Sequence, residues 1–494
     1  MIVNLKPYPD MKNSGVEWMG EVPAHWEVRR LRNLADMRVS NVDKHTKEGE
    51  ESVRLCNYVD VYKNDYIHSS MSFMRATATE DEIVRFHLAA GDVLITKDSE
   101  DWKDIGVPAL ILESADDLIA GYHLALLRPF GEWICGAYLF RSLQSTSAQY
   151  QFHVEANGVT RYGLTHAAIK SVCLPAPPLP EQAAIVKYLD YVDRRVRRLI
   201  RAKRKLIALL TEQKQAIIHQ AVTRGLDPDV PLKDSGVQWL GKVPEHWDVV
   251  KLHRVTISRC DGPFGSALKS SHYSEYGIRV VRLQNIGLGE FNNTDAAFID
   301  ENYYNTLGDH SVIDEDILIA GLGDKRHPAG RACVAPKDIC PAMVKADCFR
   351  FRINQNRCVP KFLALHLSST AAAASALLSR GATRQRTNLQ LTGLREVAVP
   401  NLAEQIAIMD YLCEATVYVD MAISRTKQEI ELLNEYRTRL IADVVTGKLD
   451  VREAAAALPE VDPLAANDDL DNTLDNDTAA ELDESEAIPM EEDT

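Results

Sequence analysis

A chain of 494 residues with 46% hydrophobic and 26% charged side chains lies in the globular range and has room for about three domains. No apolar run approaches the ~18 residues of a membrane helix, the start MIVNLKPYPDMKNSG lacks the apolar stretch of a signal peptide, and nine cysteines without a CxxC pair do not make a disulfide framework; a cytoplasmic protein is expected. The net charge of -15 belongs to the end of the chain, since residues 451–494 hold fifteen acidic side chains and one basic one, Arg452, leaving -1 for residues 1–450.

In chain order, the first marker is residues 12–31, KNSGVEWMGEVPAHWEVRRL, which returns at 233–252 as KDSGVQWLGKVPEHWDVVKL with twelve of twenty positions identical. A second pair, PEQAAIVKYL at 180–189 and AEQIAIMDYL at 403–412, leads to the endings AVTRGLD at 221–227 and VVTGKLD at 444–450. The offsets, 221 and 223, are nearly equal, so the chain reads as two similar halves of matched length, and a repeat of this kind sets the architecture. Between the markers, from about 36 to 160 and from about 256 to 380, the halves share little. These stretches read as mixed α/β. Each has an Arg-Leu-x-Asn element (Arg54–Asn57, Arg282–Asn285), an Asp before a short apolar strand (GDVLIT at 91–96, EDILIA at 315–320) and a Gly-x-Thr-Arg turn (Gly158–Arg161, Gly381–Arg384).

After Pro175–Pro180 about forty residues run without Gly or Pro, about 60 Å of helix. Ile185, Leu189, Val192, Val196, Leu199, Lys203, Leu206, Leu210, Gln213 and Ile217 step by four and three, a heptad seam with polar breaks. Ile408, Leu412, Ala415, Val419, Ala422, Leu433 and Leu440 hold the equivalent places in the second copy. The pattern predicts that two long antiparallel helices pair as a coiled coil, with Leu189, Val196, Leu199, Leu210, Leu412, Val419, Leu433 and Leu440 as interface residues. The first helix has eleven Lys or Arg against three acids between 183 and 225, so Arg197 and Arg201 are candidates for a cationic strip facing phosphates. The tail, 450–494, has no aromatic residue and is expected to be disordered.

The motifs of catalysis are missing. Gly447-Lys448 lacks the rest of a Walker A loop, no acid-Pro-Pro-aromatic tetrapeptide for adenine methylation occurs, and Cys333, Cys340, Cys348 and Cys358 lack zinc-like spacing. Asp101-Trp102-Lys103 has no Pro-Asp partner near it, and His25 and His246 read as braces for the tryptophans beside them. The expectation is no catalytic residue, no metal and no cofactor. Side chains able to read bases do cluster: Thr160 and Arg161; Ser266 and Lys269; Lys325 and Arg326; and Thr383, Arg384, Gln385, Arg386 and Asn388.

The bracketing SGVEWMGEVPAHWEV and SGVQWLGKVPEHWDV, the PEQ and AEQ helix starts, the VTRG and VTGK endings and the run Asp261-Gly262-Pro263-Phe264-Gly265-Ser266-Ala267-Leu268-Lys269 together resemble the specificity subunit of type I restriction-modification systems, over residues 12–450. The resemblance implies target-recognition domains at 1–178 and 227–400, spacer helices at 179–226 and 401–449, and a non-catalytic chain that binds a bipartite, gapped double-stranded DNA target. It also implies two methyltransferase subunits as partners, which would carry S-adenosylmethionine, and restriction or translocase subunits. The chain departs from the family pattern at Thr223-Arg224-Gly225, where Gly falls one place late, and in having no DGPFGSALK counterpart in its first domain. The alternative reading is a coiled-coil adaptor that touches DNA only non-specifically.

Overall fold

The computed structural model describes residues 5–378 and 385–459, and the chain is mixed α/β in two compact units. One comprises the residues up to Arg204 and from Lys427 onward; the other is Lys205–Thr426. The first unit holds a five-stranded sheet in the order Ala35–Val39, Leu124–Pro129, Val93–Thr96, Pro108–Ile111, Tyr66–Ile67, and a four-stranded sheet in the order Met74–Ala78, Glu51–Cys56, Ala115–Ala120, His87–Leu88. The strand Val93–Thr96 is buried throughout. Its apolar side chains are divided between two cores, Val93 and Ile95 joining Leu127 and Tyr138 while Leu94 joins Ile111 and Leu126. A strand covered on both faces reads as a continuous apolar run for this reason.

In the second unit Thr256–Cys260, Cys348–Ile353, Ile317–Ala320 and Ala332–Val334 form one sheet, and Ile278–Val281 lies parallel to Ala342–Val344 in another. The order of the first four strands of the five-stranded sheet thus recurs in a segment whose sequence differs, without a counterpart of Tyr66–Ile67 among the described residues. The Asp before each short apolar strand has a common task. Asp92 accepts two bonds from Arg128 and one from the backbone of Ala89, and Asp316 accepts two from Arg352 and one from the backbone of Ile313. Cys333 and Cys348 are buried in an apolar cluster of the second unit.

The Glu-Gln pairs that begin the long helices are equally specific. Glu181 accepts from Trp26 and Tyr8 and pairs with His25; Glu404 accepts from Trp247 and pairs with His246. Gln182 is fully buried, takes the Cys135 N–H and donates to the carbonyls of Trp133 and Pro177. Gln405 repeats this with Val359, Arg357 and Pro400. The twenty-residue repeat and the helix starts are therefore one interlocked device, in which the buried Glu and Gln side chains are bonded as burial demands.

The long helices run Leu179–Arg224 and Leu402–Val445. In the first unit Ile185, Tyr188 and Leu189 share a core with Leu440, Ile441, Val444 and Val445; in the second, Ile218, Ala221 and Val222 share one with Ile408 and Leu412. Val196 is buried, while Leu210, Val419 and Leu433 are only half-buried. The seam read from the heptads needs correction at Leu199, which is 49% exposed, with Ile200 buried in its stead. An α-helix turns 3.6 residues per turn and drifts about 20° per heptad from a 3.5 repeat, so the buried line passes Leu189, Asp193, Val196 and Ile200 and leaves Leu199 and Leu206 outside. Asp193 on that line holds Arg141, Arg197 and Arg437, and Asp65 takes a second bond from each of the last two.

The tail also needs correction at its start. Val451, Ala454 and Ala455, around the short helix Arg452–Ala456, are buried in the first unit's core. Lys6 bridges Asp450 in antiparallel fashion, and the Arg452 guanidinium lies 4.8 Å over the Tyr8 ring. The alanines that make the segment look featureless are small enough to close against that core. Residues 460–494 lie outside the described residues.

Candidate nucleic-acid interface

Two of the sequence clusters come together in the second unit. Leu322–Gly323 pairs antiparallel with Gln385–Arg386, which brings the Lys325–Arg326 loop beside the second cluster's strand. The loop is organised from beneath by Arg331, buried and without a carboxylate among its hydrogen-bond partners. Its guanidinium donates to the carbonyls of Leu283, Ile286, Leu322, His327 and Pro328. Burial alone lowers its proton affinity, and the ring of carbonyls compensates the desolvated charge. Arg395 donates to Gly330 O from a site where burial pushes its pKa down to about 10. At the tip, Asp324 accepts from the backbone of Arg326 and His327, and residues 324–327 are exposed. Neither organising arginine stood out in the sequence; only burial without an acid reveals them.

The first unit has a cluster at the matching place. Asp98–Ser99, which follows the strand Val93–Thr96 as Leu322–Gly323 follows Ile317–Ala320, pairs with Tyr162–Gly163, which in turn pairs with Asn157–Gly158. Thr160 and exposed Arg161 sit in the turn between the last two. A Cβ at Gly158 would stand 1.9 Å from the Arg161 carbonyl oxygen, so the glycine of this Gly-x-Thr-Arg turn is required by the close approach of its own chain. One Arg161 NH2 lies 3.1 Å from His123 Nε2, and His123 Nδ1 lies 2.7 Å from Asp98 Oδ2, which Lys97 Nζ also reaches at 2.7 Å. Burial pushes the Asp98 carboxyl up, but the bonds from Lys97 and His123 outweigh it and hold the group below the usual carboxylate range. The contact that His123 makes with Arg161 is made in the second unit by Asp347, 3.2 Å from Arg386. The Asp347 backbone N–H donates to Asp261, whose carboxyl burial pushes up to about 6.

Not every candidate is so placed. Asn388 accepts from the Leu391 N–H as the cap of the helix Leu389–Leu394, and Gln385 accepts from the Ala329 N–H. Lys269 is exposed in a loop held by the Tyr303 hydroxyl on the Ala267 carbonyl. Of the Ser266 side chain nothing is described, and Thr383 and Arg384 lie outside the described residues. Arg197 is spent on Asp65 and Asp193 with its side chain 18% exposed, which corrects its assignment to a phosphate-facing strip; a cation that is largely buried has to be paired. Arg201 is half-buried. Among the described residues no three His, Cys, Asp or Glu gather as metal ligands, and no helix is long and apolar enough to cross a membrane.

Paired sheets carrying exposed basic loops, with organising groups buried behind them, define a class of protein that presents cations on a preshaped edge. Residues 23–208 match the family described as the type I restriction modification DNA specificity domain. Over 460 residues, 92% of this chain and all of the relative, the chain is 26% identical to the putative type I restriction enzyme MjaX specificity subunit of Methanocaldococcus jannaschii. To the MjaVIII specificity subunit of the same organism it is 23% identical over 87% of its length and 94% of the relative's. A solved chain of a type I R-M system, studied for complex assembly and conformational transition, is similar in fold with a TM-score of 0.59 at 17% identity, covering 87% of this chain and 99% of the other. Over most of its length the chain is thus similar to type I restriction-modification specificity subunits, and residues 23–208 match the DNA specificity domain of that family.

Proposed function

We propose that this chain reads a bipartite, gapped DNA target through two target-recognition domains, residues 1–178 and 227–400, and carries out no catalysis. The observation that supports this reading best is the recurrence, in two sequences with little in common, of an arginine, Arg161 or Arg386, at a short strand paired with the residues that follow the buried apolar strand. In this reading residues 179–226 and 401–449 pair antiparallel as a coiled-coil spacer, which sets a constant gap between half-sites by the logic that protein geometry sets half-site spacing. Two methyltransferase subunits dock on the spacer and carry S-adenosylmethionine, restriction or translocase subunits join them, and the complex works in the cytoplasm. Exposed Leu199 beside exposed Arg195 and Arg198 supports such docking, since an apolar side chain left outside both the core and the helix seam is available to a partner. The remaining candidates, Thr160, Ser266, Lys269, Lys325, Arg326, Thr383 and Arg384, are assigned to DNA contact.

The test is a methylome. Cells whose only modification complex contains this chain are expected to carry methyl groups at one gapped motif with two unlike halves and an invariant gap. Methylation at a continuous, ungapped motif would overturn the proposal.

A further inference from the structure

Three non-glycine residues among those described have a left-handed backbone: His123 at φ 72°, Glu315 at 66° and Asp347 at 61°. Glu315 takes the turn that Gly91 takes in the first unit, each preceding the Asp of its short apolar strand. His123 and Asp347 also share one place. Each stands immediately before a strand, Leu124–Pro129 or Cys348–Ile353, that neighbours the buried apolar strand of its own unit. Each offers its carbonyl to the residue just beyond that apolar strand, His123 to the Lys97 N–H at 2.8 Å and Asp347 to the Gly321 N–H at 2.7 Å. Each then turns its side chain to an arginine from the turn or strand 158–163 or 385–386, His123 to Arg161 and Asp347 to Arg386.

Glycine would occupy such a backbone without strain. A side chain retained there, in two unrelated stretches of sequence and on the same neighbour type, points to a task for the side chain. The chemistry in the first unit defines it. The His123 Nδ1–H donates to Asp98, so Nε2 has a lone pair and accepts from one Arg161 NH2. The rest of the guanidinium edge remains open on an exposed residue. A guanidinium fixed at one corner presents its other donors as a rigid fork, the geometry that matches O6 and N7 of guanine, whereas a phosphate contact needs only a mobile point charge.

We propose that Arg161 and Arg386 are guanine-reading residues, one in each half of the target, and that His123 and Asp347 are positioning residues that aim them. The inference rests on the DNA-reading function proposed above and gives it a base. The two aiming groups differ: a ring buttressed by Asp98 in the first unit, and in the second a carboxylate beside Asp261.

The experiment uses the full chain with its methyltransferase partners and compares the methylated motif of wild type with those of H123G, H123N, R161K and D347G. Wild type must first give a two-part motif; if it does not, the function fails before this inference is reached. H123G is expected to keep or raise the melting temperature while selection for guanine at one position of one half falls about tenfold or more, the other half unchanged. R161K is expected to relax the same position. H123N, which tolerates the left-handed backbone and has both a donor and an acceptor, is expected to keep part of the selection, and D347G to relax one guanine in the opposite half. Unchanged selection in H123G and R161K, or a uniform loss of methylation with every base preference intact as phosphate contacts would give, overturns the proposal. So does selection in H123N as poor as in H123G.

Discussion

Replacing His366 by glutamine is expected to remove an acid sensitivity from the second unit. The imidazole is buried in the helix Pro360–Leu378, its Nδ1 2.8 Å from the Val222 carbonyl and its Nε2 accepting the Ala398 N–H at 3.2 Å. Both bonds need the neutral ring with its proton on Nδ1. Burial, reinforced by Arg395 and His219, depresses the pKa from 6.5 to about 4 against the opposing bond to Val222. The folded state therefore holds the proton less tightly than the unfolded one. The stability this histidine contributes is complete above about pH 6.5 and is lost as pH falls through the folded value. At 1.36 kcal/mol per pH unit the full loss is about 3 kcal/mol, of which about 2.5 kcal/mol is gone by pH 4.5. Asp261 acts in the opposite sense: its folded pKa of about 6 lies above the ordinary 3.8, so it adds stability as pH falls toward 4. Wild type alone shows the sum, and the difference from H366Q isolates the histidine. Hydrogen exchange of the 360–378 segment from pH 7.5 to 4.5, corrected for the intrinsic exchange rate, reads the opening free energy of this unit. Glutamine can donate to Val222 and accept from Ala398 without titrating, so its curve should be flatter by about 2.5 kcal/mol at pH 4.5. Parallel curves would refute the placement of a neutral imidazole in this core.

Two further outcomes follow from burial. Truncation after Asp450 removes Val451, Ala454 and Ala455 from the first unit's core and is expected to cost about 2 kcal/mol, or about 5 °C in melting temperature by calorimetry, whereas truncation after Pro459 leaves the melting curve unchanged. Leu189→Asp places a carboxylate at a position 2% exposed and should cost more than about 3 kcal/mol, whereas Leu199→Asp, at 49% exposure, should change stability by less than about 0.5 kcal/mol while weakening methyltransferase capture in a pull-down. Equal melting temperatures for the two aspartate variants would contradict the corrected seam.

The long helices and their starts are legible in the sequence because their signals are local. An unbroken run between Pro180 and Gly225 with 3.6-period apolar positions can be little else, and the shared tryptophans of the twenty-residue marker, Trp26 and Trp247, meet the helix starts at Glu181 and Glu404. The register of the seam is less legible, because a heptad count gives Leu199 and Ile200 nearly the same claim and only the partner surface separates them. Arg197 and Asn388 differ from their sequence reading for one reason: composition reports a cation or an amide but not whether a buried acid or a helix end has already taken it.

The candidate reading residues divide along the same line. Gly-x-Thr-Arg turns and exposed basic loops could be found by inspection, since each is contiguous in the chain. Of the groups that aim and brace them, His123, Asp347 and Arg395 lie 38, 39 and 65 residues from Arg161, Arg386 and Gly330, and Arg331 reaches back 45 and 48 residues to Ile286 and Leu283. Nothing in their local composition marks them. Sequence by itself determined that two markers recur, that two long helices form and which motifs the chain shares with type I specificity subunits, because repeats and periodicity are properties of order along a chain. Which charges face solvent, which close a core and which arginine is held by which partner were decided only by tertiary structure. Those outcomes depend on desolvation and on distances of about 3 Å between residues remote in sequence.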